Sequence, residues 1–461
     1  MHINPGDTAW MLVATALVFF MMPGLALFYG GLVGEKNVIA TMAQSFVAIG
    51  IVSVLWITVG YSLAFGTDHW GIIGGLNHIL LHGIGATPSK WAPSIPALLF
   101  MAFQMMFAVI TPALIAGAFA ERMHFRGYLL FIGLWSLIVY APFAHWVWGG
   151  GFLGPAGLRA VDFAGGSVVH ELAGASALAA VLYLGRRRRR IDRPHNLPFV
   201  LIGAGILWFG WFGFNAGSAG SAGPVAVAAL VNTQIGACAG MVVWMTVEWI
   251  RRRKPSAVGI ASGAVAGLAA ITPASGYVPT WSALIIGAAA GSLCYGAVQL
   301  KSRLHYDDAL DVVGVHLVGG TIGVILTGVF ASLVVNATAV SGGWLQLGRQ
   351  SVLALSGFVY PFVMTWLVLW ITDKTVGLRV GDGERAIGLD LGEHGENAYD
   401  FAEHPSPVNQ AETWPAESRT RALVHDIDRS PELPTFARQL EMRPFSSEPS
   451  RDQLPGHGAR R

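Results

Sequence analysis

Two histidines stand where membrane chemistry needs them. His170 lies in DFAGGSVVHELAG and His316 in DDALDVVGVHLVGG, each eight positions after an aspartate, Asp162 and Asp308. The surrounding residues are apolar, and an ionisable side chain inside an apolar span is a functional candidate by default. A neutral imidazole carries one donor and one acceptor nitrogen and changes charge near neutral pH. Two of them can hydrogen-bond a small polar solute and pass a proton. The competing reading is a histidine that only bonds a neighbouring helix, and matched spacing in two segments weighs against it.

Aromatic rings form a second constellation. Phe103 and Phe107 occur in FQMMFAVITPALIAGAFAER, Trp148 in AHWVWGGG, and Trp211 and Phe214 in GWFGFNAGSAG, with Ser218 just beyond. Ring faces attract desolvated cations, and a hydroxyl accepts a hydrogen bond from an ammonium-like donor. Taken singly, a ring in a membrane helix is usually a packing or interface-belt residue, and the many Gly and Ala residues around these rings are more simply explained by close helix contact.

The elements that must hold these residues are membrane helices. The chain has 461 residues, 53% hydrophobic and only 12% charged, with a mean hydropathy of +0.54. A soluble domain carries about 25% charged residues. Up to Ile371 there are 18 Lys+Arg and 11 Asp+Glu, too few to cover a water-soluble fold of that size. Apolar runs near 20 residues long fall at 9–33, 40–65, 95–120, 127–145, 167–185, 197–217, 225–250, 257–272, 281–300, 312–335 and 350–371. Each is long enough to span a bilayer, which predicts an all-α integral membrane protein with eleven transmembrane helices. With the N-terminus outside, the inner loops hold 15 basic residues and the outer loops three, Lys90, Arg159 and Arg349. That bias predicts an N-out, C-in chain.

Eight residues of helix rise about 12 Å. The fifth span runs inward and the tenth outward, so His170 and His316 approach the midplane of a core about 30 Å thick from opposite sides. Spans five and ten are corresponding members of two five-helix halves. An inverted 5+5 repeat plus a final helix, with a polar site at its centre, is a common transporter plan. Asp162 begins the fifth span and is expected to cap its first amides, a scaffold role before a ligand role. Asp308 or Asp311 is expected to act similarly on the tenth. Residues 1–376 are thus a transmembrane domain, 377–400 a short ordered cytoplasmic segment with regulatory potential, and 401–461 a disordered cytoplasmic tail rich in Pro, Ser, Glu and Arg. Cys238 and Cys294 read as packing residues. No spacing suggests a metal cluster or cofactor, and no basic stretch suits nucleic acid.

Read together, PGLALFYGGLVGEKNV (23–38), ITPALIAGAFAER (110–122), AHWVWGGG (144–151), DFAGGSVVH (162–170), PHNLP (194–198), GWFGFNAGSAG (210–220), DDALDVVGVH (307–316) and GLDLGEHGENAY (388–399) resemble the Amt/Mep/Rh ammonium transporters, the bacterial Amt branch in particular. The resemblance implies a homotrimer in the inner (plasma) membrane with one conduction path per subunit. It implies an outer ammonium recruitment site at Phe107, Trp148 and Ser218, with Asp162 as the acidic residue near it. It further implies a phenyl gate of Phe107 and Phe214, a twin-histidine relay of His170 and His316, and Trp211 and Phe103 beside the path. Ammonium would be deprotonated and cross as ammonia, with methylammonium as an analogue substrate, and a PII-type regulatory protein would dock on the cytoplasmic face. Such a protein is not an enzyme.

Glu171 departs from the family pattern. It lies about 100° around the helix from His170, so it is expected to face a neighbouring helix or a subunit interface. The arginine run 186–190 reads as an inner-surface anchor. Three other readings compete: a membrane enzyme holding haem or metal through His145, His170 and His316; an ammonium sensor signalling through its tail; and a passive Rh-like ammonia channel.

Overall fold

In lipid every backbone amide and carbonyl must be satisfied within the chain, which leaves the helix as the economical element for these apolar runs. A computed structural model describes residues 2–187 and 194–399. The expected tail 401–461, and Arg188 to Arg190 of the arginine run, lie outside the described residues. Ten described helices are long and apolar enough to cross a membrane. They are α1 (Pro5–Leu32), α2 (Glu35–Phe65), α3 (Ala97–Phe119), α4 (Phe125–Val147), α5 (Gly166–Leu184), α6 (Leu197–Gly217), α7 (Pro224–Arg252), α9 (Thr280–Leu304), α10 (Val313–Phe330) and α11 (Trp344–Thr375). The eighth expected span is a shorter apolar helix, α8 (Ala257–Ile271). Two short helices, α12 (Asp382–Ile387) and α13 (Leu389–His394), follow.

Local chemistry fixes several ends. Asn4 caps α1 by accepting the amide of Asp7, and Ser256 caps α8 by accepting that of Gly259; both are short polar side chains suited to an N-cap. Pro5 and Pro224 begin α1 and α7, where their missing donor costs nothing. Several boundaries differ from expectation: α1 and α2 start four and five residues early, and α9 and α11 end four residues late. Two more have a visible local cause. α10 stops at Phe330 rather than near 335, because Ala331 turns extended. α11 begins six residues early, at Trp344, where Gln346 and Gln350 bond the carbonyls of Arg159 and Val161 and tie the new first turns to the loop before α5.

The helices are not uniform. Four wide turns, closed by bonds five residues apart, occur at Trp56–Gly60 in α2, Ser136–Tyr140 in α4, Gly166–Glu171 in α5 and Val313–Leu317 in α10. Such turns gather at functional sites, and the last two contain His170 and His316. α5 and α10 cross closely there. A Cβ on Gly174 would stand 2.3 Å from the Leu317 amide nitrogen, and one on Gly320 2.6 Å from the Gly166 carbonyl oxygen. Both positions therefore require glycine.

One end of the bundle gathers charge. Arg122 is fully buried; its guanidinium donates to the carbonyls of Gly185 (2.7 Å), Asp307 (2.6 Å) and Ala118. Arg187 donates to both carboxylate oxygens of Asp307 at 3.0 and 2.8 Å. Glu121 accepts the Gly34 amide and the Asn37 side chain. The segment 377–394 packs on this basic end. His124 donates its amide to the Leu378 carbonyl and Val380 donates to that of Arg122. Asp390 caps the start of α2 by accepting the Ala40 amide at 2.8 Å.

Candidate functional site

The site is built on the starts of α5 and α10. At α5, Asp162 accepts four amides in succession: Gly165 and Gly166 on Oδ1 at 2.9 and 2.7 Å, Ser167 and Val168 on Oδ2 at 2.8 and 3.0 Å. These are the orphan donors of a helix start, and one carboxylate satisfies all four. Burial pushes the Asp162 carboxyl above the ordinary range, and the four amides pull against that. The matching aspartate of α10, Asp308, accepts the amides of Val312 and Val313 at 3.1 and 2.8 Å. Three residues after each aspartate the backbone turns left-handed, at Gly165 (φ 108°) and Asp311 (φ 64°). Asp308 therefore takes the capping role, while Asp311 instead pairs with Lys301.

From these starts the two histidines meet. The Nδ1 atoms of His170 and His316 are 3.3 Å apart, with rings 5.2 Å apart and inclined by 23°. Trp211 lies 5.2 Å from the His170 ring at 29°, and Phe214 lies 6.0 Å away at 22°. The Trp211 indole is fixed by donating to Thr272 Oγ1 at 2.9 Å. Both imidazoles, Trp211 and Phe214 line a narrow cavity of about 10 Å³, whose remaining walls are apolar apart from Tyr29: Met21, Leu25, Phe28, Ile110, Leu114, Val169, Leu207 and Val265. That volume is close to the least that holds one water.

Phe107 and Phe214 close this cavity toward a second, larger one. Their centroids are 4.2 Å apart with planes inclined by 31°, and they are 1% and 0% exposed. Phe107 lines a vestibule of about 650 Å³ together with Phe103, Trp148, Asp162 and Ser218. Trp148 stands edge-on to Phe107 at 6.1 Å and donates its indole N–H to the Asp162 carbonyl at 2.8 Å. The Ser218 hydroxyl donates to the Phe214 carbonyl at 2.8 Å, which leaves its oxygen free to accept from a guest. Phe103 packs on Phe107 at 5.0 Å. All nine residues selected from sequence thus line two cavities stacked across one phenyl pair. Two contributors escaped that selection. Gln104 also lines the vestibule and was visible as an amide next to Phe103; Thr272, which orients Trp211, carried no signal.

The chain matches a family model, the Ammonium Transporter Family, over residues 9–399. It belongs to that family. The ammonium transporter of Bacillus subtilis (strain 168) is 47% identical over 400 residues, covering 86% of this chain and 98% of that protein. The ammonium transporter of Aquifex aeolicus (strain VF5) is 48% identical over 404 residues, covering 87% and 94%. Among solved structures, Saccharomyces cerevisiae Mep2 superposes with a TM-score of 0.80 at 36% identity, covering 88% of this chain and 94% of that one. This is an ammonium transporter, a multi-pass membrane protein and not an enzyme.

Two further residues resolve within this transporter. Glu171 points away from both cavities, is fully buried, and accepts the hydroxyls of Ser167 (2.7 Å) and Thr321 (2.6 Å) against Gly357 of α11. It faces neighbouring helices, as its angle around α5 implies. His145 engages the Ala64 carbonyl through Nδ1 and Asp68 through Nε2. With both ring nitrogens occupied it cannot serve as the third ligand of a haem or metal reading. Cys294 is buried and packs as expected, while Cys238 is half-exposed on α7.

Proposed function

We propose that the transporter recruits ammonium at Phe107, Trp148 and Ser218, removes a proton beside Asp162 and the Phe107–Phe214 gate, and conducts ammonia past His170 and His316. The observation that carries this reading is the 3.3 Å contact of two imidazoles inside a narrow, largely apolar cavity. Stripping water from an ammonium ion to enter such a space is very costly, whereas neutral ammonia needs only hydrogen-bond partners. The vestibule supplies what the cation wants: ring faces, a hydroxyl acceptor and the nearby Asp162 charge. Potassium gains the ring contact but donates no hydrogen bond. The twin imidazoles then offer a donor and an acceptor to ammonia and a route for the released proton, making net uptake electrogenic.

The reading extends to the whole molecule. α8 is counted as a span, which brings the total to eleven, the two five-helix halves as an inverted repeat, and the arrangement as N-out and C-in, which puts the basic end in the cytoplasm. The site of action is the inner (plasma) membrane. The protein works as a homotrimer surrounded by lipid, and the ordered segment 377–399 regulates it and receives a PII-type partner beside the exit. Co-purification of the two proteins with and without 2-oxoglutarate tests that partnership.

Currents from proteoliposomes on a solid-supported membrane test the mechanism. Ammonium and methylammonium should evoke inward charge movement and potassium none. Ammonium uptake without current would overturn the electrogenic route and leave the passive Rh-like channel. A second reading, sensing, is favoured by likeness to a solved structure named "Sensor Amt Protein", with a TM-score of 0.78 at 29% identity. A nitrogen-dependent growth phenotype that survives in a transport-dead variant would support it.

A further inference from the structure

His124, Glu384 and Glu393 come from segments far apart in sequence and meet at the basic end. His124 opens α4, Glu384 lies in α12 and Glu393 in α13. One ligand atom from each lies within 4.8 Å of the other two, and all three residues are half-buried. His124 Nδ1 is 2.5 Å from Glu393 Oε1, and its Nε2 is 3.7 Å from Glu384 Oε2. Glu393 is held on its far oxygen, and Glu384 on the oxygen that faces His124. The Phe125 amide donates to Glu393 Oε2 at 3.0 Å, and the Gly381 amide donates to Glu384 Oε2 at 3.1 Å. Such outer contacts orient ligands in metal centres.

We propose that these three residues bind a divalent transition-metal ion of the zinc class, and that the ion staples the segment 377–394 to the start of α4. One imidazole and two carboxylates make a set that zinc accepts, with water in the fourth position. Ligand atoms about 2.0–2.1 Å from a tetrahedral ion stand about 3.3 Å apart. The two carboxylates approach opposite ring nitrogens, so an ion on one nitrogen draws the other carboxylate around the ring, within the 4.8 Å that separates the ligand atoms. Glu384, at 41% side-chain exposure, gives the ion a way in. A hard ion such as magnesium gains little from imidazole, so His124 sets the preference. Because the ligands come from opposite partners of one docking contact, metal binding and segment docking reinforce each other.

The rival is a protonated His124 bridging the two carboxylates with no metal. Tag-free, full-length protein in detergent, titrated with Zn²⁺ against a chromophoric chelator, separates the two. One tight ion per chain is expected, weakened on the order of tenfold or more in H124A and in an E384Q/E393Q double variant. X-ray absorption of the zinc-loaded wild-type protein should show one imidazole nitrogen among oxygen ligands near 2.0 Å, a readout that needs no variant to fold. Hydrogen exchange of residues 377–394 should slow with Zn²⁺ in wild type and not in H124A. No stoichiometric binding, a first shell without imidazole, or Zn²⁺ binding left undiminished in H124A would each overturn the proposal.

Discussion

The Nδ1 atoms of His170 and His316 face each other across 3.3 Å, although their helices start at opposite ends of the bundle. Between two neutral rings one must donate and the other accept, so a single proton is shared between these atoms. Removing either ring leaves the other nitrogen without a partner in an apolar cavity. His170→Ala and His316→Ala should each reduce ammonium-evoked current by about tenfold or more, the equivalent of ~1.4 kcal/mol on the barrier. The double variant should cost less than the product of the singles, as for groups acting as a unit. Independent effects in a double-mutant cycle of liposome currents would argue against a shared relay.

Asp162 takes four amides, which makes it a structural anchor as much as part of the vestibule. Asp162→Asn keeps the shape but turns an acceptor oxygen into a donor facing N–H groups. A loss of about 3 kcal/mol is expected from charged bonds of this kind, seen as a lower thermal unfolding midpoint alongside lost transport. An unchanged midpoint with lost transport would make Asp162 a ligand rather than an anchor.

Glu171 offers the opposite case. Its carboxylate is bound by Ser167 and Thr321 and stands away from the cavities. Glu171→Gln should keep transport within about twofold of wild type, since one oxygen still accepts a hydroxyl. Gly357→Ala is the sharper probe, because a Cβ there would lie 2.3 Å from Ser167 Oγ and 2.4 Å from Glu171 Oε2. Overpacking of this kind costs about 1–3 kcal/mol, and thermal unfolding measures it.

The pair of arginines beside Asp307 holds its carboxyl below the usual range, at about 2 against an ordinary 3.8. The group binds a proton more readily when unfolded, so it contributes stability in full above about pH 4. That contribution disappears as pH falls from about 4 toward 2. Asp307→Asn should remove this stretch of the pH–stability curve and, by leaving the buried Arg122 without its carboxylate, destabilise at neutral pH by about 3–5 kcal/mol. Unfolding midpoints between pH 2 and 7 check both effects.

How far composition and spacing reach can be judged residue by residue. Apolar length alone placed eleven helices, ten of them long enough to cross a membrane, because lipid permits little else, and eight-residue spacing brought His170 and His316 together. The rings of Phe107, Phe214 and Trp211 acquired roles only through the family resemblance, since a packing ring and a gating ring share one chemistry. The wide turns at 166–171 and 313–317 left no trace, because one extra residue per turn barely alters an almost wholly apolar period. The early start of α11 was hidden in Gln346 and Gln350, whose partners lie in a distant loop. His124, Glu384 and Glu393 were likewise invisible as a group, because tertiary packing alone unites them.

The cavity beside the histidines has room for a single small occupant. On the proposed route, traffic through it is a queue of length one: a water molecule lodged there would block the substrate, and a substrate would block water. Osmotic water flow and ammonium flux through this protein should compete for the same seat, so each would slow the other without any change in the protein's shape.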